Sequence, residues 1–422
     1  MNLLLNYISR LVMTLSRSYI LLSLMLLGIA FFPTYLVTSS NSTGQQLFFV
    51  LYLAFLLTLN LLFCRGYFCY SKLEFYSICF ISILIGGTIF SKIDGLELGS
   101  FINHFRFIFY SIVFCLTYNL LYCQHFDEKI VAKSFLIFVL ACSSFSLVQV
   151  WKPEILWFIN PRTAYTFRGI SLGGPFVWSY IFAFVMLPYF FYFLYLFISE
   201  VKIKYGLCSI FSLIVVVLSQ SKAAYLSLIV CYFCFLIIMF FYRLRGYRLF
   251  VSISMILFIA IIFVFEMFSN DLNTVLVALE HLQSGGVDSS TSGRLRQIFS
   301  VLSIFDNGNF FQMLFGVTGD KLIIENAYFS YLQDYGIVGL ITLIFFIMLL
   351  LFFSFRYLRF ILLNERSNSY LVAMVISFFL MVISIPIFSL GSSPIDANKS
   401  SYYFFVYWAI VLVVLKKKVS NG

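Results

Sequence analysis

Charged residues are scarce in this sequence. Only 10% of its 422 residues are Asp, Glu, Lys or Arg, whereas soluble globular proteins carry about 25%. Hydrophobic residues make up 62% of the chain, and aromatic residues make up 21%. A soluble core could not bury so many apolar side chains, so a water-soluble domain is excluded.

Motifs for several kinds of catalysis are missing too. The sequence has no Asp-x-Asp pair that could hold a metal with a nucleotide sugar, and no Gly-x-x-x-x-Gly-Lys phosphate loop. The segments predicted below to be external contain no His-x-x-x-His or Cys-x-x-Cys ligand set and no cysteine at all. ATP-driven or metal-dependent chemistry therefore has no support, and we expect no metal, cofactor or disulfide framework.

Long apolar runs dominate what is present. Runs of about 18–24 residues can each cross a hydrocarbon core of about 30 Å as a helix, and they lack the alternation of barrel strands. We therefore predict an all-α polytopic membrane protein, one transmembrane domain over 1–422 with about twelve transmembrane helices. The predicted spans are 19–38, 45–64, 74–91, 101–122, 134–151, 175–198, 205–220, 222–242, 249–268, 327–355, 368–390 and 401–415.

The distribution of positive charge predicts the orientation. With a cytoplasmic N-terminus, the segments on that side hold 17 of the 27 Lys and Arg residues and the opposite loops hold 9. Cytoplasmic loops carry such an excess of positive charge, so we predict that both termini are cytoplasmic. The same distribution accounts for the net charge of +10 without nucleic acid as a partner.

Two predicted external loops are longer than the other connections, one over 152–174 and the other over 269–326. They carry Arg162, Arg168, Arg294 and Arg296 on the side where positive charge is normally sparse. Long loops are exempt from the charge rule, so these arginines could be incidental. Long loops in compact proteins are also often functional, and we expect a function for this group.

Part of the larger loop has the pattern of an amphipathic helix. Apolar residues recur at helical spacing, Thr291 or Ser292 could cap the start, and Asp306-Asn307-Gly308 would end the helix. We predict that this helix lies at the outer membrane face. Its N-terminal N–H groups would then lie beside Arg294 and Arg296, which suits a phosphate or pyrophosphate. Anionic lipid headgroups are the alternative ligand.

The external segments also contain an ordered set of short motifs. They are Arg162 with Gly173 eleven residues later, Arg168-Gly169 followed by Pro175, Ser-Gln-Ser-Lys at 219–222, Ser-Gly-Arg at 292–294, Leu-Phe-Gly at 314–316, and Glu-Asn-Ala-Tyr-Phe-Ser-Tyr-Leu-Gln-Asp-Tyr-Gly-Ile-Val-Gly-Leu at 325–340. From about 160 to 340 the chain resembles the O-antigen polymerase/ligase family, and the Wzy-type polymerases in particular. It departs from the family at Lys222, where Arg is usual, and at Asn307, where a second Arg-and-Gly pattern beginning at Arg296 would need glycine.

The resemblance implies a metal-independent glycosyltransferase with a GT-C-like architecture in the bacterial inner membrane. Such polymerases join oligosaccharide repeat units carried on undecaprenyl pyrophosphate at the periplasmic face and release undecaprenyl pyrophosphate. The implied partners are the lipid-linked oligosaccharide and membrane lipid and, by family analogy, a chain-length regulator and a flippase.

This chemistry favours arginines and one carboxylate as the functional residues. Arginine binds phosphate oxygens bidentately and stays charged, so we predict Arg294 in catalysis and Arg162, Arg168, Arg296 and Arg106 in pyrophosphate or glycan binding. Glu325 is the leading candidate for the base that accepts the hydroxyl proton. A carboxylate favoured by the helix dipole is the alternative explanation for Glu325. Asn326 and Tyr328, which follow it, are predicted to bind substrate.

Other carboxylates and histidines are weaker candidates. Asp334, further along the same span, could instead be a partner for Arg106, and His281 could be incidental.

Two other functions remain open at this stage. An O-antigen ligase would transfer finished glycan to lipid A core, and this family's ligases carry a histidine near the start of the last long span, where this chain has Glu325-Asn326. A lipid-linked oligosaccharide flippase would be expected to show repeats and charges in span centres, whereas most charges here lie at the ends of spans.

Overall fold

The computed structural model describes residues 18–33, 41–64, 68–89, 98–124, 126–160, 162–166, 169–267, 289–306, 308–317, 324–396 and 398–421. Almost all of these residues are helical. In chain order the helices are α1 Ser18–Phe31, α2 Asn41–Phe63, α3 Lys72–Gly87, α4 Leu98–Cys123, α5 Glu128–Trp151, α6 Ser179–Glu200, α7 Ile203–Leu218, α8 Lys222–Phe241, α9 Tyr247–Met267, α10 Ser289–Asp306, α11 Phe310–Phe315, α12 Ala327–Asn364, α13 Ser369–Phe388 and α14 Asn398–Asn421.

Seven of the described helices are long and apolar enough to cross a membrane. Their qualifying stretches are Phe105–Cys123, Glu128–Trp151, Ser179–Glu200, Lys222–Phe241, Ala327–Asn364, Ser369–Phe388 and Lys399–Lys418. Shorter apolar helical stretches cover Ser18–Phe31, Val50–Phe63 and Ile203–Leu218. The chain therefore has the helices of a multi-pass membrane protein, as its composition predicts.

Polar residues mark the beginnings of several helices. Asp127 accepts a hydrogen bond from the Ile130 N–H at 2.7 Å before α5, and Asn368 accepts one from the Leu371 N–H at 3.3 Å before α13. Each cap satisfies an N–H group that the helix leaves without a partner. Such residues interrupt the apolar runs and therefore divide one continuous hydrophobic sequence into separate helices.

The centre of the bundle is built from α6, α13 and α14. In the most apolar part of α6 and of α14, 94% of the residues are buried, against 33% for α8 at the periphery. Aromatic rings fill this core. Tyr407 of α14 stacks on Phe135 of α5 with ring centroids 5.2 Å apart, and on Phe378 of α13.

The bundle has two ends with different contents. At one end, α12 begins beside the end of α13, because the Ala327 N–H donates to the Ser389 carbonyl at 2.9 Å. This end also holds the described parts of the two long loops, and we call it the loop end. At the other end Lys416 of α14 donates to Ser71 before α3 at 2.9 Å, and Lys418 lies 3.8 Å from Glu128 at the start of α5. We call it the basic end.

A kink in α12 brings the end of the larger loop against that helix. Gly336 has non-helical angles (φ 66°, ψ −163°), and a Cβ at this position would lie 2.3 Å from the Leu314 carbonyl oxygen. Gly316 (φ 93°) leaves equally little room beside the Asp334 carbonyl. The Val317 N–H donates to the Gln333 carbonyl at 2.9 Å. Two glycines therefore allow α11 and α12 to meet backbone to backbone.

The smaller loop contains a short hairpin that the sequence analysis does not predict. Strand β1 (Tyr165–Thr166) pairs antiparallel with β2 (Gly169–Ile170). After β2 the Leu172 N–H donates to the Leu218 carbonyl at 3.0 Å. The predicted span 175–198 begins as helix only at Ser179, because residues 171–178 form a loop with a 3₁₀ turn (Gly174–Phe176). Ser171 also donates to the Ser219 carbonyl in the turn between α7 and α8 at 3.4 Å.

Candidate functional site

The two residues predicted for catalysis form an ion pair at the loop end. Arg294 of α10 donates from Nε to Glu325 Oε2 at 2.9 Å, although 31 residues separate them in sequence. The Glu325 N–H donates to Oε1 of Gln297 at 3.2 Å, which gives this junction a second contact from α10. The Arg294 and Glu325 side chains are 33% and 53% exposed, so both can reach a ligand.

The ion pair lies against the connection between α13 and α14. A Cβ placed on Gly391 would lie 3.9 Å from Nη2 of Arg294, and also 3.9 Å from Ala223 near the start of α8. The start of α8, α10 and this connection therefore lie next to one another, with room for a side chain at 391. Ala223, which follows the turn at 219–222, and Arg294, which belongs to the motif at 292–294, therefore both lie beside Gly391.

Asn326 and Tyr328 have structural roles in this arrangement. Asn326 Oδ1 caps α12 by accepting from the N–H groups of Tyr328 (3.0 Å) and Phe329 (3.3 Å), and its Nδ2 donates to the Leu390 carbonyl at 3.2 Å. The Tyr328 hydroxyl donates to the Pro386 carbonyl at 3.1 Å. These hydrogen bonds fix the start of α12 next to Glu325, and substrate binding by the two residues stays a prediction.

Arg162 lines a second part of the loop end. Its guanidinium carbon lies 3.5 Å from the centre of the Trp178 ring, a close cation–π contact. Stacking uses the face of the guanidinium and leaves its in-plane N–H groups for hydrogen bonds. The open cavity beside it has a volume of about 450 Å³ and is also lined by Thr163, Ser171 and Ser179.

Buried amides hold the backbone around Arg162. Gln149 of α5 donates to the Arg162 carbonyl at 2.9 Å and accepts from the Gly174 N–H at 3.0 Å. Asn160 donates to the Gly174 carbonyl at 2.6 Å and accepts from the Arg162 N–H at 3.0 Å. Gly173 has no room for a side chain, since a Cβ would lie 2.2 Å from the Val177 carbonyl oxygen. The Arg162-to-Gly173 pattern therefore corresponds to a closed loop that fixes the position of the arginine.

Tyr180 lies between these two parts of the site. Its hydroxyl accepts a hydrogen bond from Ser392, the residue after Gly391, at 3.0 Å, and its ring centroid lies 6.2 Å from that of Trp178, on which Arg162 stacks. The loop end therefore presents Arg294, Glu325 and Arg162 around one region. Such a site can bind an anion with two arginines and hold a carboxylate near it.

Arg106 belongs to a buried cluster rather than to this open region. It forms an ion pair with Asp396, and that carboxylate also accepts from the hydroxyls of Tyr331 at 2.5 Å and Tyr110 at 3.2 Å. Burial raises the pKa of Asp396, while Arg106 and the two hydroxyls oppose that rise. Asp396 thus fills the partner role that the sequence analysis offered to Asp334.

Lys399 is a buried lysine that belongs to none of the sequence motifs. Its side-chain nitrogen donates to the Ala30 carbonyl at 2.8 Å and to the Pro175 carbonyl at 3.0 Å. It therefore joins the end of α1 to the smaller loop. The contact fixes the turn that follows Gly174 and with it the loop that carries Arg162.

One detail of the predicted site is wrong. The amphipathic helix begins at Ser289 rather than after Thr291 or Ser292, so Arg294 lies in its second turn and Arg296 beyond it. Neither arginine therefore belongs to the first turn, whose N–H groups have no partner within the helix. The helix ends at Asp306 as predicted. Arg296 is exposed.

Two candidate residues from the sequence, Arg168 and His281, lie outside the described residues. Within the described part of the chain, no three His, Cys, Asp or Glu side chains are grouped so that they could hold a metal ion.

Several residues of the site have only weak sequence signals. Trp178, Tyr180, Ser392, Asp396 and Lys399 occur in polar interruptions or at helix starts, and none belongs to a motif with fixed spacing. Asp396 and Lys399 could have been found as charged residues in the short connection between two strongly apolar spans.

Comparison of the chain with models of known protein families gives no match, and comparison with curated proteins gives none either. Function must therefore be inferred from the residues and their geometry.

Proposed function

We propose that this protein is an O-antigen or related polysaccharide polymerase of the bacterial inner membrane, with about twelve spans, a GT-C-like architecture and both termini in the cytoplasm. It would join oligosaccharide repeat units carried on undecaprenyl pyrophosphate at the periplasmic face. The observation that carries this proposal is the contact between Arg294 and Glu325 at 2.9 Å. These residues come from two motifs that are far apart in sequence, and each supplies one of the functions that the reaction needs.

The reaction assigns a separate task to each group. The acceptor hydroxyl oxygen bonds to the anomeric carbon as the bond from that carbon to the pyrophosphate oxygen breaks. The hydroxyl proton passes to the Glu325 carboxylate, and the bonding electrons leave with the pyrophosphate. Arg294 and Arg162 stabilise the negative charge that develops on the leaving group, as preorganised donors do.

In this mechanism Arg294 changes partners. An ion pair between exposed side chains contributes about 0–1 kcal/mol, so a pyrophosphate can replace Glu325 on the guanidinium at small cost. Once Arg294 binds the phosphate, Glu325 is able to accept the hydroxyl proton. Arg162, stacked on Trp178, would supply a second guanidinium whose in-plane N–H groups can donate to the ligand.

The test is the length of glycan made in a deletion strain. We expect lipopolysaccharide core with a single repeat unit in the deletion, and long chains after complementation with the wild-type gene. Arg294→Ala and Glu325→Ala should each leave only the single unit at normal membrane abundance. Arg248→Ala at the basic end and Glu154→Ala at the loop end, which alter exposed residues outside the proposed site, are the matched controls and should restore long chains.

The same experiment separates the alternatives. Core without any repeat unit in the deletion would contradict a polymerase and indicate a ligase or a flippase. Accumulation of long lipid-linked polymer would then identify the ligase. Long chains made by both site variants would show that the proposed site is misplaced.

A further inference from the structure

A large groove lies at the basic end, away from the proposed site. It has a volume of about 970 Å³ and is formed by the start of α3, the last turns of α12 and the end of α14. Four cationic residues line it: Lys72, Arg356, Arg359 and Lys416. Glu325 and Arg356 are 31 residues apart along one helix and its cap, which corresponds to on the order of 45 Å.

Most of this positive charge has no acidic partner. Among the described residues, no ion pair joins Lys72, Arg356, Arg359 or Lys416 to a carboxylate. The Lys72, Arg356 and Arg359 side chains are exposed. Three cations at one end of a membrane helix bundle therefore face the groove without compensation, and they would attract an anion there.

The acidic residue in the groove is already engaged. Glu74 is buried and accepts hydrogen bonds from the Tyr357 hydroxyl at 2.7 Å and from Ser71. Lys416 donates to Ser71 and packs over the Tyr118 ring at 5.3 Å. Glu74 and Lys416 thus form the polar floor of the groove, and the three remaining cations are available to a ligand.

The wall of the groove is apolar on the side towards the membrane centre. Phe352 and Phe355 are 59% and 50% exposed. Each precedes an arginine by four residues, so Phe352 and Arg356 share one face of α12, and Phe355 and Arg359 share another. On each face, an arginine that can bind a phosphate therefore lies one helical turn from an exposed phenylalanine against which an acyl chain can pack.

We propose that this groove binds an anionic phospholipid. The phosphate would contact Lys72, Arg356 and Arg359, and the acyl chains would lie along Phe352 and Phe355. Basic pockets between transmembrane helices bind anionic headgroups in this way. A second copy of the chain is a poorer occupant, because it would bring the same uncompensated positive charge to the contact.

The test is lipid retention by the purified full-length protein in native mass spectrometry. We would compare phosphatidylglycerol with phosphatidylcholine on the wild type and on the triple variant Lys72→Gln/Arg356→Gln/Arg359→Gln. Loss of three cations should weaken phosphatidylglycerol binding roughly 100-fold, at about fivefold for each cation. The matched control, Lys129→Gln/Lys133→Gln/Arg248→Gln, removes the same charge from exposed positions near the starts of α5 and α9 and should bind like the wild type.

Melting temperatures without added lipid show whether both triple variants fold, and the single variant Arg359→Gln replaces the groove triple if that one does not. Equal binding by the groove and control variants would overturn the proposal. So would equal binding of the two lipids by the wild type. Displacement of phosphatidylglycerol by stoichiometric undecaprenyl phosphate would assign the groove to a polyprenyl carrier instead.

Discussion

At the scale of single residues, two arginine–carboxylate pairs at the loop end differ in their surroundings. Arg294 and Glu325 are 33% and 53% exposed, whereas Arg106 and Asp396 are 20% and 2% exposed, and Asp396 receives hydroxyl donors besides Arg106. An exposed pair can exchange its partner for a ligand at little cost. A buried pair cannot, because either charge left alone in the interior is strongly destabilising. The first pair is therefore suited to chemistry and the second to holding the structure.

The exchange of residues 294 and 325 tests this distinction. The variant Arg294→Glu/Glu325→Arg keeps an ion pair, and we expect normal membrane abundance with no polymer above a single repeat unit. The reason is that the guanidinium and the carboxylate would be exchanged relative to the substrate. Glycan length on gels and immunoblots of membranes give the two readings. Long chains from this variant would mean that the pair is only a structural contact.

The buried pair should behave in the opposite way. Asp396→Asn keeps the size of the side chain but leaves Arg106 without its counter-charge, and we expect a loss of about 3–5 kcal/mol of stability. Thermal melting in detergent and membrane abundance measure the effect. Glu154→Gln, an exposed change at the same end, is the control. A melting temperature of Asp396→Asn equal to that of the control would contradict the buried ion pair.

At the scale of helices, the sequence predicts where most helices lie but not where they depart from regular helix geometry. The span predicted for 327–355 begins with α12, yet the helix continues to Asn364 and is kinked at Gly336. Apolar periodicity and capping residues are local signals, and they are sufficient to locate a helix. Gly336 at the kink lies against Leu314, and Ile170 of the hairpin packs with Leu172 and Leu218. Both features involve contacts that a local sequence pattern does not contain.

The same limit applies to the candidate site. Arg294, Glu325 and Arg162 could be predicted because each belongs to a spaced motif. Asp396 and Lys399 belong to no such motif. Their charge in a short connection between apolar spans marks them, but their roles depend on partners that lie hundreds of residues away in sequence, Tyr110 and Ala30 respectively.

Gly336→Ala tests whether the kink positions the larger loop. Alanine would place its Cβ 2.3 Å from the Leu314 carbonyl oxygen at a φ of +66°, and such strain costs about 1–3 kcal/mol. We expect a lower melting temperature and shortened glycan chains. Gly87→Ala is the matched control, since nothing lies within 4 Å of a Cβ there. Equal behaviour of the two variants would show that the backbone contact is dispensable.

At the scale of the whole molecule, the two proposed sites lie at opposite ends of the bundle. The loop end carries Arg162, Arg294 and Glu325, whereas the basic end carries the groove with Arg356 and Arg359. Charge bias predicts that the basic end faces the cytoplasm. A polymerase that uses a lipid-linked donor in the periplasm needs its site at the opposite face, so orientation is a condition on which the proposed function depends.

Cysteine labelling in intact cells tests this orientation directly. We expect a periplasm-accessible maleimide that does not cross the inner membrane to label Glu154→Cys at the loop end, and to label Lys133→Cys at the basic end only after the membrane is permeabilised. Both positions are exposed. The wild-type protein gives the background, since its exposed Cys123 lies at the end of α4 beside Lys417 and should also stay unlabelled in intact cells. Labelling of Lys133→Cys but not of Glu154→Cys in intact cells would place Arg294 and Glu325 in the cytoplasm. The polymerase would then lack access to its donor, and a function on the cytoplasmic face would have to replace it.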